Sequence, residues 1–168
     1  MSDSRSPTPA TIPPFVRDDD LRQSIELLFF AYRDFTGEAD QMLVAVGFGR
    51  AHHRAIYFIG RNPGITVGGL LRILKITKQS LSRVLRELID GGYVSQDTGR
   101  NDRRQRLLAL TAKGEELERE LTGRQRARFA RAFGEAGADA MAGFRRVMLG
   151  MLDREQRPEI ERHIGVRR

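Results

Sequence analysis

The chain contains no cysteine and no tryptophan. The absence of cysteine excludes disulfides, thiolate zinc sites, iron–sulfur clusters and thiol-based redox sensing. Long apolar runs are also missing, because the longest, residues 27–31, is far below the roughly 20 residues that span a bilayer. The N-terminus does not show the pattern of a secretory signal. We therefore expect a cytoplasmic protein without a membrane partner.

Acidic side chains are outnumbered by basic ones. The 168 residues include 29 lysines and arginines against 22 aspartates and glutamates, which gives a formal net charge of +7 and a pI near 10.6. Hydrophobic residues make up 40% of the chain, which is enough for a core, and the length suits one domain with an appendage. Such a basic balance favours a polyanionic partner, most often nucleic acid.

The N-terminal part divides into a tail and a long helix. Residues 1–17 are rich in Ser, Pro and Thr and predict a disordered tail. Over residues 18–46 the apolar side chains recur in alternating steps of four and three, which predicts a helix with one buried seam. These positions are Leu21, Ile25, Leu28, Tyr32, Phe35, Ala39, Met42 and Val46. The part of the seam from Leu21 to Phe35 lies outside the expected core, so it needs a partner surface and predicts a homodimer.

Two short amphipathic helices separated by a tight turn follow. Thr66 and Thr77 are the expected N-caps, and residues 74–77 form the turn, as in a helix-turn-helix. The second helix of that motif reads base edges in the major groove of double-stranded DNA. The candidate DNA-contacting residues of this motif are Thr66, Lys78, Gln79, Ser80, Ser82, Arg83 and Arg86.

A basic hairpin follows the helix-turn-helix. Residues 93–95 and 106–110 predict short strands, joined by a polar loop that carries Arg100, Arg103 and Arg104. A hairpin of this kind is typical of a wing that places arginine in the minor groove. The sequence therefore predicts a mainly α fold with a small β-hairpin wing, and residues 47–111 as a winged helix-turn-helix DNA-binding domain.

The remaining residues, 112–168, predict C-terminal dimerisation helices. Thr111 is the expected cap of the first, and a last helix presents an apolar stripe until Pro158 ends it. The stripe residues expected in the dimer interface are Phe144, Met148 and Met151, together with Leu21, Ile25, Leu28 and Tyr32 of the first helix.

Residues 102–114 and the exit Gly92-Tyr93-Val94 resemble the MarR family of winged-helix transcription regulators, over roughly residues 20–155. The wing segment shares the pattern Asp, any residue, Arg, then Leu-x-Leu-Thr and a glycine three positions on. The resemblance implies an obligate homodimer on a pseudo-palindromic operator, with Asp102 and Arg104 bracing the wing. It leaves open whether Arg100, Arg103 or Arg104 is at the wing tip.

The resemblance also suggests a small organic effector, phenolic or anionic, bound between the dimerising helices and the winged core. It favours a repressor over an activator, working at the bacterial or archaeal nucleoid. Whether an effector exists, and the sign of regulation, are open at this point.

Other chemistry has little support in the sequence. His52 and His53 are adjacent and do not have the i, i+4 spacing of a helical metal pair, so we expect no metal and no cofactor. Paired carboxylates or an activated nucleophile are not recognisable, which disfavours an enzyme. A third class is an architectural or interaction module that uses the winged helix as a scaffold and binds duplexes without sequence preference.

Overall fold

The computed structural model of the chain describes residues 12–99 and 105–165. In chain order the elements are α1 (Asp18–Ala45), α2 (Arg50–Arg61), β1 (Ile65–Thr66), α3 (Val67–Leu74), α4 (Lys78–Asp90), β2 (Val94–Thr98), β3 (Arg106–Leu110), α5 (Ala112–Ala136), α6 (Ala138–Met151) and α7 (Arg157–His163). The predicted mainly α fold with a small β wing is confirmed. Of the predicted disordered tail, residues 1–11 lie outside the described range, and residues 12–17 precede α1 without helix or strand.

The core sits where α2, α4 and the sheet meet. Its fully buried side chains include Ile56 and Ile59 of α2, Leu81 and Leu88 of α4, and Leu108 of β3. Each such side chain stabilises the fold by about 1.5–3 kcal/mol relative to exposure. The core thus fixes α4 against α2 and the wing strands, which is the placement that a DNA-reading helix needs.

Only the C-terminal half of α1 joins this core. Thr36, Ala39 and Leu43 are buried, whereas the apolar side chains before Phe35 are exposed. Of the predicted seam only Ala39 is buried, and its last position, Val46, is 41% exposed and follows the end of α1, so the prediction of one buried seam is wrong within a protomer. The first turns of α1 stand clear of the winged domain.

The two predicted caps of the helix-turn-helix form as the sequence indicates. The Gly69 N–H donates to Thr66 Oγ1 at 3.0 Å, and the Ser80 N–H donates to Thr77 Oγ1 at 3.1 Å. Between the two helices Lys75 adopts a left-handed backbone, with φ of 51°, which turns the chain sharply. The helix-turn-helix is thus built from local hydrogen bonds.

The sheet has three antiparallel strands in the order β1-β3-β2. β3 pairs with β2 from Val94↔Leu110 to Thr98↔Arg106, so β2 extends further than the predicted residues 93–95. β1 pairs with β3 through Ile65↔Leu108, and it is a strand that the sequence does not predict. This extra pairing ties the start of α3 to the wing.

The expectation that Pro158 ends the last apolar helix is wrong. α6 already ends at Met151, and Pro158 lies in the first turn of α7. Proline is tolerated there because the first N–H groups of a helix have no intrahelical acceptor to lose. None of the helices in residues 12–99 and 105–165 combines the length and the apolarity that crossing a membrane requires.

Candidate nucleic-acid interface

α4 has two clearly different faces. Leu81, Val84, Leu85 and Leu88 are buried, because they recur at helical spacing on the side that packs on the core. The polar side chains between them point to solvent, so the packing face and the solvent-exposed face of the helix are separate. The exposed set is Lys78, Gln79, Ser80, Ser82, Arg83 and Arg86, and all of these except Lys78 line one open groove.

The hydroxyls at the helix starts are already engaged. Thr66 Oγ1 accepts the cap bond from Gly69, and the residue is only half-exposed. The Thr77 hydroxyl donates to Ser80 Oγ at 2.8 Å, so both hydroxyls belong to the cap of α4. The side chains of Thr66 and Ser80 therefore stabilise the N-termini of α3 and α4 in the free protein.

Arg83 is tied to a residue one turn further along α4. Its Nε–H donates to Glu87 Oε1 at 3.0 Å, and the other carboxylate oxygen of Glu87 lies 2.6 Å from His52 Nε2. The Arg83 hydrogen bond, and after it the His52 hydrogen bond, hold the pKa of Glu87 below its usual range. Glu87 therefore stays ionised and continues to accept from both neighbours.

The wing strands converge towards the loop that carries the predicted arginines. The Gly99 N–H donates to the Gln105 carbonyl oxygen at 3.0 Å, and Arg106 Nη1 donates to Thr98 Oγ1 at 2.8 Å. The loop residues Arg100, Asp102, Arg103 and Arg104 lie outside the described residues. Their roles as wing brace and wing tip stay predictions.

A cavity of about 360 Å³ lies between α1, α2 and α5. Aromatic and basic side chains dominate its wall, which fits a ligand with an apolar ring and an anionic group. The lining residues are Tyr32, Phe35, Thr36, Asp40, Arg50, His53, Arg54, Tyr57, Phe58, Thr122, Gln125, Arg126 and Phe129.

The polar groups of this cavity are only partly paired. Arg50 donates to Asp40 Oδ2 at 2.8 Å, which raises the pKa of Arg50, and Arg54 Nη2 donates to the Tyr32 hydroxyl at 2.9 Å. Asp40 Oδ1 is buried and finds no hydrogen-bond partner in the described part of the chain. Burial lowers the pKa of His53, which favours its neutral ring. The cavity thus retains hydrogen-bonding capacity for a ligand.

The predicted dimer-interface side chains are exposed on the protomer. On α1 the exposed fraction of Ile25 reaches 69%, and on α6 that of Met151 reaches 58%. Leu27, Phe29 and Phe30 add to the exposed apolar surface of α1. The other predicted members, Leu21, Leu28, Tyr32, Phe144 and Met148, are between 38% and 45% exposed.

Comparison with known proteins places this architecture in a family. A family model of the MarR family matches residues 46–105. The HTH-type transcriptional regulator PetP of Rhodobacter capsulatus is 50% identical over 163 residues, which cover 97% of this chain and 95% of the relative. The chain belongs to the MarR family.

Solved structures of MarR-like fold agree with the membership. Streptococcus pneumoniae FabT in complex with DNA superposes with a TM-score of 0.70 at 19% identity, covering 79% of this chain and 94% of that one. The Mycobacterium tuberculosis MarR family protein Rv2887, in complex with p-aminosalicylic acid, superposes with a TM-score of 0.53 at 24% identity, covering 73% and 93%. At these identities the likeness concerns the fold.

Sequence reasoning missed several polar partners in this MarR-family chain. The Arg83–Glu87 pair has the i, i+4 spacing of a helical ion pair and could have been found from it. The His52–Glu87 contact joins residues 35 positions apart, for which the sequence gives no local signal.

For metals, the part of the chain that the structure describes contains no cluster of three or more His, Cys, Asp or Glu able to hold an ion.

Proposed function

We propose that this MarR-family protein is a transcriptional repressor that binds a pseudo-palindromic operator as a homodimer and releases it on binding a small organic effector. The observation that carries the proposal is the polar, partly cationic outer face of α4, set on a buried inner face and followed by the wing strands. Such a helix can enter a major groove without disturbing its own packing. We infer a non-enzymatic protein that acts in the cytoplasm, where the genomic DNA lies.

The DNA contacts that we propose are of two kinds, contacts to base edges that determine specificity and contacts to the DNA backbone and minor groove that contribute affinity. Gln79 and Arg83 project from the first turns of α4, where bidentate hydrogen bonds distinguish adenine and guanine. Lys78 and Arg86 flank them, with Ser82 between, and suit phosphate or sugar contacts. The basic side chains of the wing, Arg100, Arg103 and Arg104, would add minor-groove and backbone contacts.

Dimerisation is supported by the exposed apolar surface at both ends of the chain. Leu21, Ile25 and Leu28 on α1 and Phe144 and Met148 on α6 are side chains whose burial stabilises an interface. A pseudo-palindromic operator matches the two-fold symmetry of such a dimer, because each winged domain then meets one half-site.

The effector that we propose occupies the cavity between α1, α2 and α5. Arg50, Arg54 and Arg126 give the wall a cationic character that only Asp40 offsets, while Tyr57 and Phe129 offer ring faces. These groups fit an aromatic carboxylate or phenolate. Such a ligand releases DNA only if it prefers the dimer geometry that does not match the operator.

Selection of bound fragments from random DNA, followed by footprinting on the selected sequence, tests the function. We expect an inverted repeat protected in both half-sites, and weaker protection on adding p-aminosalicylic acid as a probe aromatic carboxylate. Equal affinity for all duplexes would identify an architectural module instead. If the protein still binds the operator when the cavity is saturated with the probe, the hypothesis that aromatic carboxylates release this protein from DNA is refuted.

A further inference from the structure

Among the long cationic side chains on the exposed face of α4, Arg83 is the one that is held in place by a hydrogen bond to another side chain within the residues that the structure describes. The side chain is 81% exposed, yet its Nε–H is bound by Glu87 at 3.0 Å. An exposed arginine samples many rotamers, and ordering it on DNA costs conformational entropy. A contact at Nε offsets part of that cost beforehand and does not use the two terminal nitrogens of the guanidinium group. Those two nitrogens are the donors of a bidentate contact with guanine O6 and N7.

Glu87 is in turn fixed by a residue of another element. His52 of α2 lies 2.6 Å from Glu87 Oε2, and its ring is only 11% exposed. The Gly49 N–H donates to His52 Nδ1 at 3.1 Å, so in the neutral ring the hydrogen is on Nε2 and is donated to Glu87. The ring also stacks on Phe48 with a centroid distance of 4.6 Å and an interplanar angle of 10°.

We propose that Glu87 and His52 are positioning residues for base reading: His52 fixes the Glu87 carboxylate, and the carboxylate fixes Arg83 for one guanine in each half-site. This inference rests on the proposed function, since it requires that α4 reads DNA. It assigns specificity to two residues that need not touch a base. It also gives a role to a carboxylate that lies beside the surface proposed to face DNA.

The negative charge of Glu87 makes the proposal separable from a general effect on folding. A carboxylate near the phosphates weakens binding to any sequence, so its removal should not lower affinity for a scrambled duplex. Loss of Arg83 positioning should lower discrimination at one base pair only. If Glu87 acted only through the stability of the winged domain, its removal would instead lower affinity for the operator and for the scrambled duplex together, and that result would overturn the proposal.

The first experiment compares Glu87→Ala and Glu87→Gln with Asp90→Ala, using the full-length protein and duplexes carrying each base substitution in the selected operator. Asp90 is exposed at the end of α4 and does not contact Arg83, so Asp90→Ala removes the same charge from the same helix and leaves Arg83 unaffected. We expect Glu87→Ala to lose about tenfold discrimination at the base pair read by Arg83, with unchanged or tighter binding of scrambled duplex. Asp90→Ala should keep the wild-type discrimination at every position.

Glu87→Gln is the shape-preserving variant, because its single amide oxygen can accept from Arg83 or from His52 but not from both as the carboxylate does. We expect a partial loss of discrimination at the same base pair. Discrimination equal to wild type in both Glu87 variants would overturn the proposal, and so would an equal loss of affinity for operator and scrambled duplex.

A double-mutant cycle then separates positioning from direct contact. His52→Ala should reduce discrimination at the Arg83 base pair in the wild-type background by several-fold and leave it unchanged in an Arg83→Ala background. Equal effects in the two backgrounds would show that His52 acts without Arg83 and would overturn the inference. Failure of the wild-type protein to discriminate any sequence would instead refute the proposed function.

Discussion

Replacing Gly114 by alanine tests how the wing is joined to α5. A Cβ at this position would lie 2.0 Å from the Tyr93 carbonyl oxygen, where real Cβ contacts are essentially never under 3.0 Å. The backbone at Tyr93, just before β2, or the backbone of α5 must therefore move by about 1.0 Å, the difference between 3.0 and 2.0 Å. The same carbonyl accepts from the Thr111 N–H at 3.1 Å, so the shift also strains the hydrogen bond that connects the N-cap of α5 to Tyr93.

The size of the effect follows from these two contributions. Forcing an extra carbon into a packed site costs about 1–3 kcal/mol, and a weakened hydrogen bond adds about 1 kcal/mol. We expect Gly114→Ala to lower the free energy of unfolding by roughly 2–4 kcal/mol, a large part of the roughly 5–15 kcal/mol typical of a domain. Urea denaturation followed by circular dichroism measures it, at one fixed protein concentration because dimerisation contributes to stability.

The same substitution on the same helix provides the control. Gly123 is exposed in α5, and a Cβ there meets nothing within 4 Å. Alanine at that position should raise the free energy of unfolding by about 0.5–1 kcal/mol, because glycine loses more backbone entropy in a helix. If Gly114→Ala proves as stable as Gly123→Ala, the close approach of α5 to Tyr93 is not a packing constraint and the reasoning fails.

Three further predictions concern DNA reading, pH and assembly. Arg83→Ala should lose about 1–3 kcal/mol of discrimination at one base pair per half-site in binding titrations. If this variant discriminates as well as the wild-type protein, α4 is not the helix that reads DNA. Burial lowers the pKa of His53 in the folded protein below its ordinary 6.5, so the unfolded chain binds the proton more readily and the free energy of unfolding falls as the pH drops below 6.5. His53→Gln should reduce this dependence of stability on pH, as measured by denaturation at several pH values. Ile25→Asp places a charge on the exposed seam of α1 and should shift light scattering towards the 19.0 kDa protomer, whereas an unchanged dimer would exclude this surface from the interface.

Local rules were sufficient for the helix-turn-helix. Thr66 and Thr77 were predicted as caps because a hydroxyl before an amphipathic run accepts an N–H two or three residues on, and both bonds form. The inner face of α4 followed from helical periodicity in the same way. These features depend on neighbours a few positions away, so the sequence carries them directly.

Contacts between distant segments were not predictable by the same means. β1 comprises only Ile65 and Thr66, and its identity as a strand depends on pairing with Leu108 and Leu107 of β3. A two-residue strand has no recognisable alternation, so no pattern indicates it. The placement of Pro158 failed for a related reason, because proline is compatible with either the end of one helix or the first turn of the next.

The adjacent histidines of α2 combine both kinds of information. Neighbouring side chains on an α-helix diverge by about 100°, which already argues against a metal pair at His52 and His53. The structure adds the destination of each ring: His52 contacts Glu87 of α4, and His53 lines the cavity. A single turn of α2 therefore contacts both the residue that binds Arg83 and the cavity that we propose for an effector. That division follows from helix geometry, but the two destinations depend on how α2 packs against α4 and α1.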